Sequence, residues 1–229
     1  MLMENSNDIL DEVEQITWWH SIDLPLPDGK TITTPGEVNH CTEDTATKRF
    51  GIPSDLTGKT VLDIGCWDGY FSFLAEKRGA KVHSIDPYQG FTNAQIGQRG
   101  YQLAHRLLKS NSTFEVSDLE MYATDPANRS VDIVFYFGIL YHVDHPLKEL
   151  EYLYKVTNDF ALIETATLTY KSPLPNLWQF LPGNKNDSNN KWYPSVSALN
   201  TALRYVGFES VEMIYAHEGD DRVTVKAIK

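Results

Sequence analysis

Acidic side chains occupy a place in this sequence where an anion would ordinarily bind. The stretch VLDIGCWDGYFSF, residues 61–73, is an apolar run that ends in a glycine turn and passes into a helical pattern. Such a turn usually cradles a phosphate with its backbone amides and the helix dipole. Here Asp63 closes the apolar run and Asp68 lies inside the turn, so a pyrophosphate would meet two negative charges. The middle glycine of a dinucleotide turn, which lets the backbone approach the pyrophosphate, is replaced by Trp67. Asp86 closes the next apolar segment 21 residues after Gly65, the spacing at which an acidic side chain grips ribose hydroxyls. The combination points to an adenine nucleoside carrying positive charge. S-adenosylmethionine, with a sulfonium, an α-ammonium and no phosphate, fits, and a nicotinamide dinucleotide is disfavoured by Trp67 and the paired carboxylates.

Asp118 and Glu164 close two later segments. Asp118 is the candidate acceptor for an adenine amine, and Glu164 reads equally well as a satisfied polar residue at a sheet rim. A lone Asp is more often a turn former or helix cap, but four acidic residues at strand ends, the first beside a glycine turn, form a set.

Strand ends converge only in a parallel sheet. Residues 57–65, 81–86, 112–118, 131–138 and 159–165 read as strands, and residues 70–78, 92–109, 146–156 and 195–206 as helices. The segment VDIVFYFG is almost wholly apolar, as expected for a strand covered on both faces. Residues 208–216 and 222–228 add two strands joined by the turn HEGDD. The pattern predicts an α/β fold: a Rossmann-like, seven-stranded, mainly parallel sheet with an antiparallel C-terminal hairpin and helices on both faces. Residues 1–50 hold an amphipathic helix, with Ile9, Val13 and Ile16 at helical spacing, and a Pro- and Gly-punctuated cap segment. Residues 51–229 form the single sheet domain, with an insert at about 168–194 whose stretch PGNKNDSNN reads as a loop.

The 229 residues carry 20 Lys+Arg against 31 Asp+Glu, a net charge of −11. That balance argues against a polyanion partner, because nucleic-acid affinity rests on cationic neutralisation of phosphates. The N-terminus lacks a basic region before an apolar stretch, so no signal peptide is expected, and no apolar run is long enough for a membrane span. Cys41 and Cys66 are at no metal-ligand spacing. No metal is expected, and a reduced, cytoplasmic setting is the simplest reading.

The segments VLDIGCWDGYFSF, VHSIDPY, VSDLE and FGILYHVDHPLKEL resemble class I S-adenosylmethionine methyltransferases. They are similar, more narrowly, to relatives of the bacterial tRNA wobble-uridine (5-carboxymethoxyuridine) methyltransferase-like enzymes. The resemblance runs from about residue 18 onward and includes the TPG turn at 34–36, the IET at 163–165 and the segment NKWYPSVSALNTALRYVGF. It implies a donor site drawn from Asp63, Gly65, Trp67, Asp68, Gly69, Asp86, Pro87, Asp118, Leu119 and Phe137. In the tRNA enzyme a carboxylated donor is held by a Lys, by the Tyr of the LYH motif and by a late Arg. Tyr141 and Arg222 match the last two. The Lys has no counterpart, since the corresponding stretch reads Trp18-Trp19-His20-Ser21. Without that charge-assisted partner, ordinary S-adenosylmethionine and a small-molecule acceptor are the expectation, with a tRNA uridine (carboxy)methyltransferase as the alternative.

Methyl transfer from a sulfonium is an in-line displacement, for which the protein aligns the nucleophile, removes water and takes a proton from a hydroxyl or ammonium acceptor. His142, directly after the fourth strand, is the first candidate base, with a structural capping role as the competing reading. His20 in the cap segment is the second, and Tyr141 is a third group at the same rim. Trp18, Trp19 and Trp67 could wall a cation, and the insert, with Trp178, Trp192 and Tyr193, is where acceptor selection is expected. Cys66 lacks triad partners at any useful spacing, so a thiol nucleophile is not expected.

Overall fold

The computed structural model of the protein describes residues 5–37, 41–87, 95–168, 176–184, 187–216 and 221–229. Residues 217–220 of the expected turn HEGDD, the start of the helix at 92–94, and parts of the 168–194 insert and its PGNKNDSNN loop lie outside the described residues.

The helix α1 (Ser6–Glu14) is followed by a small hairpin of β1 (Asp23–Pro25) and β2 (Thr31–Thr33), and by α2 (Glu43–Lys48). The alternating core is β3 (Thr60–Ile64), α3 (Tyr70–Lys77), β4 (Lys81–Ile85), α4 (Gln95–Leu108), β5 (Thr113–Glu115), α5 (Leu119–Thr124), β6 (Val131–Phe137), α6 (Pro146–Val156) and β7 (Thr157–Ala166). The insert forms the pair β8 (Trp178–Phe180) and β9 (Trp192–Pro194), before α7 (Val196–Tyr205), β10 (Ser210–Ala216) and β11 (Arg222–Ile228). The seven-stranded sheet has the order β10-β11-β7-β6-β3-β4-β5. Strands β3 to β7 run parallel, and β11 pairs antiparallel with both β7 and β10. Strand order reverses between β3 and β6, and ligands in open α/β sheets settle beyond the strand ends at such a reversal.

The two-residue period of the strands divides the core. Leu62, Ile64, Val134 and Tyr136 face one layer with α5, α6 and α7. Val61, Ile133 and Phe135 face the other, with Phe71, Leu74 and Ala75 of α3. That double coverage is why the central strands read as continuous apolar runs. A third cluster joins Ile9, Val13, Ile16, Trp18, Ile22 and Leu24 to Tyr101, Leu103 and Ala104 of α4. The N-terminal segment is therefore seated on α4. Trp18 is 1% exposed, and its indole nitrogen donates to the Val13 carbonyl over 3.0 Å.

Two short helices escaped the sequence reading. The segment EDTATK of α2 has no apolar repeat, and only Ala46 is buried; a Thr42 cap on the Thr45 amide starts it. The six residues of α5 are too few to show a period. Strand β5 is correspondingly shorter than residues 112–118, because Asp118 leaves the strand to cap α5.

Candidate active site

The turn between β3 and α3 needs unusual backbone. Gly65 and Gly69 have φ values of 67° and 85°, where glycine avoids the Cβ penalty. A Cβ on Gly65 would lie 2.7 Å from Ile139 Cδ1, so the turn and the β6–α6 loop approach only without one. Trp67 sits at φ 48°, a left-handed conformation that costs a non-glycine residue roughly 1 kcal/mol. Its amide donates to Asp86 Oδ2 over 3.0 Å, which fastens the turn to the end of β4. Exposed Pro87 follows.

Asp63, Asp68 and Asp86 are all buried around this turn, yet their surroundings differ. Asp63 Oδ2 accepts the Ser72 hydroxyl over 2.5 Å. Burial pushes its carboxyl up to about 7, against the lowering effect of that bond and of His20, with Asp86 and Asp68 adding to the rise. Asp68 is committed to the cap. Its Oδ2 accepts the amides of Trp19 at 2.9 Å and His20 at 2.7 Å, and its Oδ1 lies 2.7 Å from His20 Nδ1. The sequence reading placed Asp68 facing a cationic ligand; the structure places it beneath His20 because the cap folds back over the turn.

The cap is shaped for that contact. The Thr34 hydroxyl accepts the Ile22 amide and donates to the His20 carbonyl, at 2.8 and 2.9 Å. A Cβ on Gly36 would meet the His20 carbonyl carbon at 2.2 Å, so the TPG turn packs directly on His20. The imidazole stacks on Tyr70 at 5.2 Å and meets the edge of Phe71 at 5.2 Å. Phe71 continues to Phe137 at the end of β6 and to Phe50. An aromatic rim thus runs from the glycine turn to the neighbouring strand end.

Beyond that rim lies a charge cluster. Arg222, on β11, grips both carboxylate oxygens of Glu164, with Nη2 to Oε2 at 2.6 Å. Its Nη2 also donates to the Tyr141 hydroxyl at 3.3 Å, and its guanidinium lies 4.9 Å from the Tyr141 ring centre. Glu164 is 3% exposed, and Arg49 approaches it to 4.0 Å. Glu164 is therefore a satisfied rim residue, as one of its two sequence readings held, and Tyr141 and Arg222 are brought together. Burial raises the Tyr141 hydroxyl pKa, against the opposing effect of Arg222.

His142 sits half-buried against Tyr141, ring centres 4.1 Å apart. Its Nδ1 has no hydrogen bond among the described residues. Burial lowers its pKa, while the Asn189 backbone and Asp187 pull the other way. The cap of α6 is His145 rather than His142. Asp118 caps α5 by accepting the Met121 amide at 2.7 Å, and the Leu119 side chain is withdrawn into the core at 1% exposure. The buried Cys66 thiol is raised well above its ordinary value by burial and the three neighbouring aspartates, which removes it as a nucleophile.

Sequence reasoning missed Ser72, Ser84 and Tyr101, whose hydroxyls lie behind Asp63. The signal was present: a serine inside each of the apolar runs YFSF and VHSI. The insert bounds a separate groove of about 760 Å³, lined by Trp178 and Trp192 and by the facing sides of α6 and α7. Backbone bonds from Lys191 and Trp192 to the Tyr141 carbonyl join that groove to the β6–α6 loop. Among the described residues no helix is long and apolar enough to cross a membrane.

Residues 42–213 match the methyltransferase domain family. The chain is 28% identical over 169 residues to the tRNA U34 carboxymethyltransferase of Aliarcobacter butzleri (strain RM4018), covering 70% of this chain and 50% of that protein. It is 29% identical over 164 residues to the enzyme of the same name from Haemophilus influenzae (strain PittEE), covering 70% and 48%. The chain thus spans about half the length of these tRNA enzymes. Among solved structures, the N-terminal domain of EvdMO1 with SAH bound superposes with a TM-score of 0.74 at 16% identity, over 99% of this chain and 98% of that one. Magnesium protoporphyrin IX methyltransferase (ChlM) from Synechocystis PCC 6803 with bound SAM gives 0.53 at 18% identity, over 76% and 71%. With its switch-point glycine turn and antiparallel sheet edge, this chain belongs to the methyltransferase domain family.

Proposed function

We propose that this methyltransferase takes S-adenosylmethionine at the tips of β3 and β4 and delivers the methyl group, in line, to a hydroxyl or amine of a small-molecule acceptor, with His20 as the base. The observation that carries the reading is the His20–Asp68 pair. A buried carboxylate, fixed by two backbone amides, holds Nδ1 of an imidazole at 2.7 Å. Such a partner orients a histidine and stabilises its protonated form. The buried acidic turn fits a cationic adenosyl ligand and disfavours a diphosphate. When bound, the donor supplies a methyl carbon already activated by its sulfonium. The protein's own part is to clamp the ribose with Asp86, exclude water with the Phe71–Phe137–Phe50 rim and the cap, and accept the acceptor's proton on His20. His142, the first candidate from sequence, has no hydrogen-bond partner on Nδ1 among the described residues, so no carboxylate orients its ring as Asp68 orients that of His20.

Three substitutions test this reading. Asp86→Ala is expected to weaken S-adenosylhomocysteine binding about 100-fold, the loss of two charge-assisted hydrogen bonds at roughly 1.5 kcal/mol each; unchanged affinity in a calorimetric titration removes Asp86 from the ribose role. His20→Gln is expected to lower kcat about 100-fold or more with donor affinity retained, whereas His142→Ala should cost less than tenfold. The reverse ranking would move the base to His142.

A second reading is favoured by the Tyr141–Arg222 contact and by the names of the tRNA relatives. In it the cluster receives the carboxylate of a carboxylated donor and the acceptor is a tRNA uridine. Bidentate pairing to Glu164 already occupies much of Arg222, which favours the first reading. Transfer of a labelled carboxymethyl group from carboxylated S-adenosylmethionine to bulk tRNA, with no methyl transfer from S-adenosylmethionine in an acceptor panel of small hydroxyl and amine compounds, would decide for the second.

A further inference from the structure

Behind the glycine turn, a run of hydroxyl groups crosses the sheet. Tyr101 on α4 donates to Ser84 on β4 at 3.2 Å, Ser84 and Ser72 lie 2.9 Å apart, and Ser72 donates to Asp63 at 2.5 Å. Ser112 extends the chain from Tyr101 at 2.9 Å, and Ser110 carries it on to Glu76. Ser72, Ser84 and Ser112 are buried, and Asp63 is 2% exposed. A hydroxyl both donates and accepts, so this chain can support Asp63 in either protonation state. The groups facing Asp63 are Ser72 from α3, Ser84 and Asp86 from β4 and its end, Cys66 and Asp68 from the turn, Tyr101 from α4 and His20 from the cap. His20 is the one basic group among them, and its Nδ1 is on Asp68.

We infer that Asp63 holds a proton in the ligand-free protein and gives it up to solvent when the adenosyl donor's α-ammonium arrives, with Tyr101, Ser84 and Ser72 turned toward the new carboxylate as positioning groups. The inference rests on the donor reading given under Proposed function. Charge balances simply: one ammonium enters the buried site, and one proton leaves it. Asp63 is buried with Asp86 and Asp68 near it, so its ionised form is costly until a cation comes close, and the ammonium supplies that charge. The elevated Asp63 carboxyl, near 7, agrees. In the ligand-free protein the same group contributes stability below its unfolded value near 4, and loses it as pH rises through about 7. Donor binding reverses that loss, so donor affinity should rise with pH over the same interval.

The test is calorimetric titration with S-adenosylhomocysteine, which keeps the α-ammonium, in two buffers of different ionisation enthalpy. For a carboxyl near 7, about three-quarters of a proton should be released per site at pH 6.5, and affinity should fall about tenfold per pH unit well below that value. Asp63→Asn should abolish the release. Tyr101→Phe, which removes one donor from the chain and leaves the ring to pack, should move the affinity midpoint upward by about half a pH unit; this variant decides the matter if Asp63→Asn does not fold. Tight binding with buffer-independent heat overturns the inference and leaves the donor reading standing. Proton release that persists in Asp63→Asn, or a midpoint unmoved by Tyr101→Phe, also overturns it. Absence of binding at every pH overturns the donor reading itself.

Discussion

Asp68→Ala should unseat the cap and nearly abolish turnover. The substitution removes the acceptor of the Trp19 and His20 amides and the partner of His20 Nδ1 in one step. Each buried donor left unpaired costs about 1–3 kcal/mol, so a loss of roughly 3–5 kcal/mol is expected, corresponding to a fall in Tm of about 10 °C. Turnover should drop about 100-fold or more, because the imidazole loses both its place and its orienting charge. Asp68→Asn separates the two effects. Its carbonyl oxygen can still accept both amides, so most of the stability should remain. Its NH2 group, turned to Nδ1, would fix the opposite tautomer and leave Nε2 carrying a hydrogen when a base is needed. Thermal unfolding and steady-state kinetics on the pair of variants provide the check. Equal stability and activity in wild type and Asp68→Ala would show that the cap is seated by Trp18 and its apolar neighbours alone.

Arg222→Met is the second large effect. Glu164 is 3% exposed and bidentately paired; without Arg222 its one remaining cationic neighbour among the described residues is Arg49, at 4.0 Å. Removing one partner of a buried pair typically costs about 3–5 kcal/mol, whereas replacing both can be close to neutral. The double variant Arg222→Met/Glu164→Gln should therefore recover most of the loss. The pH dependence has a definite sign. In the single variant the isolated Glu164 carboxyl rises above its unfolded value, so the stability tied to its proton is present in acid and disappears as pH rises through the folded value. Denaturant unfolding at pH 5 and pH 8 should accordingly bring Arg222→Met closest to wild type at the lower pH. A gap that is the same at both would mean that Arg49 neutralises Glu164 unaided.

The sheet was legible because its information is periodic and long. Five apolar runs alternating with helical segments leave few arrangements, and α6 emerges with the predicted bounds because Pro146 starts it and the β-branched pair Val156-Thr157 ends it. The glycine turn was legible through Gly65 and Trp67. What could not be read was which carboxylate is spoken for. Asp63, Asp68, Asp118 and Glu164 look alike in sequence, yet Asp68 is claimed by a segment 48 residues earlier and Glu164 by an arginine 58 residues later. Asp118 is claimed by its own helix. Pairings over that range are set by how the cap and the antiparallel edge return to the sheet, which periodicity does not encode. His142 ranked ahead of His20 in the sequence for the same reason, since only the folded cap puts a carboxylate under His20.

The way the cap is fastened also gives its motion a spectroscopic label. The His20 amide is tied across to Asp68, whereas the Ile22 amide is tied to Thr34 within the cap. Swinging of the intact flap would expose His20 to deuterium while Ile22 stays protected; melting of the flap would expose both together. Exchange measured at these two neighbouring positions, with and without nucleoside, therefore distinguishes a door turning on its hinge from one that comes apart. Slower exchange at His20 alone on loading would identify gating as a rigid swing.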